Sequence, residues 1–158
     1  MRAVLFAALL IASPGSARQV TIDRPSLSAE AAKAAMAACE SYAHAHGWAV
    51  TIAVIDAGGD PLAFLRMDGA PRVTIDFANG KARTALLMKA PSDMPLKLLE
   101  EGKTQVLAWG LLPATGGLPI ELDGKVIGAI GASGETGGHD VDCARAGVEA
   151  VSAMRAAR

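Results

Sequence analysis

Cysteine, aromatic side chains and an excess of either charge are all scarce in this chain of 158 residues. Two cysteines cannot build a disulfide framework or a four-cysteine zinc site. The absence of Cys-x-x-Cys-His excludes covalent c-type haem attachment. Phe, Trp and Tyr are 4% of the residues, so the core must come from small aliphatic side chains packed closely. Lys and Arg number 15 against 16 Asp and Glu, a net charge of −1. A nucleic-acid binder would carry a basic excess or stripe, so no nucleic-acid partner is expected. No apolar run reaches the ~20 residues of a helical membrane span. What is abundant is alanine, within 51% hydrophobic and 20% charged residues. That composition and length fit one globular domain around one core.

The first residues read as an export address. Met1-Arg2 precedes an apolar run from Val4 to Ala12, and Ser13-Pro14-Gly15-Ser16-Ala17 follows with a helix breaker and small side chains. This layout predicts a signal peptide over 1–17, cleaved after Ala17, and a single mature domain over 18–158. An uncleaved anchor is the alternative. Export predicts a periplasmic or secreted protein with no membrane span after processing. Cys39 and Cys143 can then pair in an oxidising compartment, or serve as small buried apolar side chains, which is the commoner fate.

Along the rest of the chain, Ser28 can cap an Ala-rich helix that ends at Gly47, with Ala32, Ala35, Met36, Cys39, Tyr42 and Ala43 on one face. Residues 48–56 read as a buried strand and 62–67 as its hairpin partner across a Gly58-Gly59 turn. Residues 73–88 read as a second helix with Ile75, Ala78, Ala82, Ala85 and Leu86 on one face, and 95–101 as a short third one. Residues 104–112 read as irregular or a short strand. Residues 118–122 and 125–132 form a second hairpin around Asp123-Gly124, a strong two-residue turn signal. A last helix covers 140–157, with Asp140 as its cap. The expectation is an α+β fold: a single antiparallel sheet of four or five strands, made of two hairpins and flanked by helices in a profilin/PAS-like layout.

Few constellations carry chemistry. Gly131-Ala132-Ser133-Gly134-Glu135 departs from a nucleophile elbow at Glu135, and Ser133 would need a paired base. Gly128, Gly131 and Gly134 recur every third residue inside a hairpin strand, which is not the dinucleotide fingerprint. They can instead allow a close backbone approach. His44 and His46 stand two apart on a helix, about 200° around it, and cannot chelate one metal together. His139 opens the last helix and can ligate a metal or stay solvated. Met67 can ligate haem iron or simply pack. Lys81 and Arg83 can face ligand carboxylates or form a solvated helical face. An enzyme acting on a small carbonyl or acid substrate would need Asp56, Arg66 or Lys81 brought together in a pocket.

The ordered set of short segments resembles the GlcG/HbpS-type haem-binding family, which is similar to the carboxy-terminal domain of PduO-type corrinoid adenosyltransferases. The segments are Val54-Ile55-Asp56-Ala57-Gly58-Gly59, Arg66-Met67-Asp68-Gly69-Ala70, Lys81-Ala82-Arg83-Thr84-Ala85, Gly116-Gly117-Leu118-Pro119-Ile120, and the run from Gly124 to Gly134, followed by Asp140 and Ala146-Gly147. The likeness spans about 27–155. It implies an antiparallel sheet with helices, a homo-oligomer, binding of haem or another tetrapyrrole in some members, and service to a sensor kinase or a metabolic oxidoreductase in others. Its matching positions are mostly glycines and small residues, so fold carries over better than activity. The function expected is an exported, oligomeric, non-catalytic haem carrier or sensor accessory. The rival is a non-haem small-ligand accessory module. In the first case His44, His139 or Met67 would bind iron, with His139 as the metal ligand of choice, and Lys81 or Arg83 would lie near the propionates.

Overall fold

A computed structural model describes residues 20–156. The expected export segment and its cleavage site lie outside those residues. The elements run α1 (Ala29–Ala45), β1 (Thr51–Asp56), β2 (Pro61–Arg66), α2 (Thr74–Met88), α3 (Met94–Glu100), a 3-10 turn (Thr104–Trp109), β3 (Gly117–Leu122), β4 (Lys125–Ser133) and α4 (Gly137–Ala156). The four strands form one antiparallel sheet in the order β2-β1-β4-β3. The α+β expectation holds, with four strands. Residues 104–109 are a 3-10 turn, not a strand. Pro61 and Pro119 fall on the two edge strands, where a missing amide costs no ladder bond inside the sheet.

Strand alternation divides the core. Ile52, Val54, Ile120, Ile130 and Ala132 join Ala32, Ala35, Cys39, Ala43, Cys143 and Ala144 in the main cluster, so α1 and α4 cover one face of the sheet. Ile55 and Ala129 meet Ala82 and Ala85 of α2 on the other face. Side chains this small let helices sit close to the strands. Gly131 and Gly117 carry that closeness furthest: a Cβ on either would lie 2.2 Å from a carbonyl oxygen of α2, that of Ala78 and of Lys81 respectively. The recurring glycines of β4 therefore serve packing.

Local signals explain the element ends. The Ser28 hydroxyl accepts from the Ala31 amide at 3.2 Å and starts α1. Asp123 and Gly124 take φ values of +50° and +71° in the β3–β4 turn, as an Asp-Gly hairpin requires.

One expectation needs correction. Cys39 and Cys143 are not two free apolar side chains; they form a disulfide between α1 and α4, across 104 residues of chain. Both are fully buried, as the apolar spacing around Cys39 implied, and of the two fates left open the less common one, pairing, is the one found. No helix among the described residues is long and apolar enough to cross a membrane.

Candidate functional site

The helices on opposite faces of the sheet meet at one point, beyond the end of β4. Lys81 of α2 belongs to that helix's buried stripe with Thr74, Ala78, Ala82 and Ala85, and is 4% exposed. Asp140 belongs to the buried stripe of α4 with Cys143, Ala144 and Gly147, and is 2% exposed. Lys81 Nζ lies 2.7 Å from Asp140 Oδ2. It also donates to the Ala132 carbonyl at 3.0 Å and to Ser133 Oγ at 3.3 Å. All three ammonium protons are thereby taken, which is what a buried charge requires.

Asp140 is therefore not the cap expected from sequence. The helix begins earlier, at Gly137, and Asp140 stands in its first turn. Its Oδ1 accepts from the Glu135 amide at 3.1 Å, so it ties down the loop before the helix as well as Lys81. Burial pushes the Asp140 carboxyl above its ordinary value, while Lys81 and the amides of Glu135 and Gly134 pull the other way.

The pair is roofed by glycine. A Cβ at Gly116 would lie 2.7 Å from the Ala132 oxygen and 3.0 Å from Lys81 Nζ. The strap that carries Gly116 is pinned to α2 and its exit loop by two hydroxyls. Thr84 Oγ1 accepts from the Leu112 amide at 3.0 Å and donates to the Leu112 carbonyl at 3.2 Å. Ser92 Oγ accepts from the Gly117 amide at 2.8 Å and donates to the Ala114 carbonyl. The Lys81-to-Ala85 segment, the Gly116-Gly117 pair, Ser133 and Asp140, scattered in sequence, thus build one locus.

Above the pair opens a cleft of about 420 Å³, whose floor includes Lys81, Ser133 and Asp140. Its rim is apolar: Val73 and Phe77 are 57% and 39% exposed, and Pro71 stands beside them. Gly134, Glu135 and Gly137 complete the wall. An apolar mouth over a few convergent polar groups is the usual form of a small-molecule site.

The expected site residues separate. His139 is exposed and laid against Trp48, ring centroids 4.3 Å apart and planes 16° apart. His44 is exposed on α1, 3.8 Å from Glu40. Met67 is 6% exposed inside the main core cluster, so its sulfur faces protein. Arg83 is exposed, about 200° around α2 from Lys81. Lys81 has no donor left for a propionate. Ser133 accepts from the Lys81 ammonium, which cannot take its proton, so the nucleophile reading has no base. Asp56 lies at the far end of β1, where its Oδ1 accepts from the amides of Gly58 and Asp60, so Asp56, Arg66 and Lys81 do not converge. Among the described residues no group of three or more His, Cys, Asp or Glu side chains can hold a metal ion.

Sequence reading missed two features. His46 stacks on the Trp48 face opposite His139, at 4.6 Å, with Nδ1 donating to the Tyr42 carbonyl at 2.8 Å. Only the fold brings these rings together. The Lys81–Asp140 pair had a signal. Both residues sit at i, i+3, i+4 spacing within otherwise apolar helical stripes, and a charge on such a stripe needs a buried partner.

This is an α+β domain with a pocket-forming ion pair between helices on opposite faces of its sheet. It belongs to the HbpS-like family: the family model described as "Haem degrading protein HbpS-like" matches residues 27–149. Protein GlcG of Escherichia coli K12 is 37% identical over 108 residues, covering 68% of this chain and 81% of GlcG. The crystal structure of a double mutant of Streptomyces reticuli HbpS is similar at 35% identity and TM-score 0.77, covering 88% of this chain and 97% of that one. The crystal structure of a PduOC:heme complex is similar at 26% identity and TM-score 0.73, covering 79% and 94%.

Proposed function

We propose that this protein is an exported, oligomeric binder of haem or a related tetrapyrrole, acting as a carrier or as the accessory of a sensor kinase or oxidoreductase. The observation that carries the reading is the cleft with its exposed apolar rim. A macrocycle offers a flat apolar face, and Val73, Phe77 and Pro71 offer its match. The cleft of about 420 Å³ admits an edge of such a disc, and a second copy of the chain would cover the remainder. HbpS and PduOC, the latter in complex with heme, share this fold and support the choice of ligand. The Cys39–Cys143 disulfide supports export, since such bonds persist in oxidising compartments.

His139 is the iron ligand in this reading. It is exposed, it adjoins Asp140 of the cleft floor in the chain, and Trp48 holds its ring. His44 is on α1, away from the cleft-lining residues, and Met67 is enclosed. Arg83, on the opposite side of α2 from Lys81, does not line the cleft. Bound iron would supply ligand-field and redox chemistry. The chain itself supplies an apolar seat, one imidazole and a fixed floor.

Hemin titration of the protein purified after export tests this. The expected result is a saturable Soret shift with quenching of indole fluorescence from Trp48. His139→Ala should abolish the shifted spectrum and His44→Ala should preserve it. A Soret band that never saturates would favour the second reading, a non-haem small-ligand module, to which the modest cleft volume is also suited.

A further inference from the structure

The far end of the sheet holds a larger cavity, of about 650 Å³, which the haem reading leaves unused. It lies where β1 ends, between the β1–β2 turn, the β3–β4 turn and the last turn of α2. Arg24, Lys89 and Lys125 line it, with Glu121 as the single carboxylate residue of the lining. Leu86, Leu87, Pro25 and Val126 supply apolar wall.

Three observations point to an anion. First, none of the three cations has a carboxylate oxygen within 4.0 Å among the described residues. Asp56 and Asp60 bring carboxylates to the Gly58 edge of the cavity, Asp56 Oδ1 accepting from the amides of Gly58 and Asp60. Second, Lys89 adopts φ +50° at the C-cap of α2, a left-handed position usually given to glycine. A lysine there is strained, and strain of this kind gathers at binding sites. Third, the strap bearing Arg24 is fastened across the mouth: the Ala57 amide donates to Ser26 Oγ at 3.2 Å, and the Leu27 amide donates to the Ile127 carbonyl at 2.8 Å.

Among the lining side chains themselves, three cations outnumber one carboxylate, Glu121. Cations on three separate segments match an anion with more than one negative group, and the leucines between them match an apolar spine.

We infer that this cavity binds a small aliphatic dicarboxylate, held by Arg24, Lys89 and Lys125 with its methylenes against Leu86 and Leu87. The site is independent of the haem reading and would survive its failure.

Glutarate is the probe. Calorimetric titration of the protein purified after export should show saturable binding below about 10 mM, weakening as salt rises. Lys125→Ala and Arg24→Gln should each weaken it about threefold. Lys89→Arg should retain binding. Lys89→Gly should weaken it while raising the melting temperature, because it removes both the charge and the backbone strain. Loss of affinity in a variant that is more stable cannot be misfolding. Absent saturation, glutarate affinity unchanged in Lys125→Ala and Arg24→Gln, or inorganic phosphate binding as tightly as glutarate would overturn the inference. A hemin titration on the same preparation keeps the two proposals apart.

Discussion

At one end of the sheet Lys81 is 4% exposed, with a carboxylate 2.7 Å away and two further acceptors. At the other end Arg24, Lys89 and Lys125 line an open cavity with no carboxylate within 4.0 Å among the described residues. The difference lies in solvation. Withdrawn from water, an ammonium must have every proton accepted by protein, and it then becomes architecture. Left in water, it keeps its charge available, and what it lacks is a partner. The buried cation joins α2 to α4 and shapes the floor of a cleft. The open ones define a site.

The largest test of that contrast is to break the buried pair. Lys81→Met or Asp140→Asn should each cost about 4 kcal/mol in urea unfolding, because one charge or its partner's hydrogen bonds remain stranded. The double variant Lys81→Met/Asp140→Leu should recover most of the loss, since an apolar replacement of both partners strands nothing. If the double variant is no better than the singles, the pair has a role beyond mutual compensation. Neither change should alter glutarate binding at the far end.

Removing the disulfide sharpens the contrast next. Cys39→Ala/Cys143→Ala should cost about 3 kcal/mol, read as a lower urea midpoint, because the closed loop of 104 residues is long. Both cysteines lie in the core shared by α1 and α4, the helix that carries Asp140. Amide exchange should therefore quicken along α4 and its contact with Lys81, with little change around Lys125.

The smallest effect is a dependence on pH. Folding raises the Asp140 carboxyl, so the folded state holds its proton more tightly than the unfolded chain does. The stability this group adds is present below the ordinary aspartate value of about 3.9 and is lost as pH rises through the raised value. Urea midpoints measured from about pH 4 to pH 7 should carry this fall in the natural protein. Asp140→Asn should remove that component of the slope. An unchanged slope would mean that another group carries it.

Much of the fold was legible along the chain. Ser28 announced α1, Asp123-Gly124 announced the second hairpin, and the β-rich run over 48–56 announced a buried strand. These are local events, governed by a few consecutive residues. The 3-10 turn over Thr104–Trp109 was not legible, because its place depends on the strap that Thr84 and Ser92 fasten from other elements. The site was legible by halves. Lys81 was singled out for its charge, but its partner was read as a helix cap, since a single Asp near a helix start gives the same local signal in either role. Cys39 was placed in the core by its spacing, pairing with Cys143 was left open, and only the approach of α1 to α4 shows that they bond.

By itself, then, the sequence determined the order and kind of the elements, the small-residue core and the membership in a family whose glycines it shares. Those follow from backbone preference and periodicity, which act within a few residues. The tertiary structure decided which charge is buried against which, that Trp48 lies between two imidazoles, and that three cations from distant segments surround one cavity. Those depend on distances between residues far apart in the chain, which exist only once the sheet has brought its two ends into being.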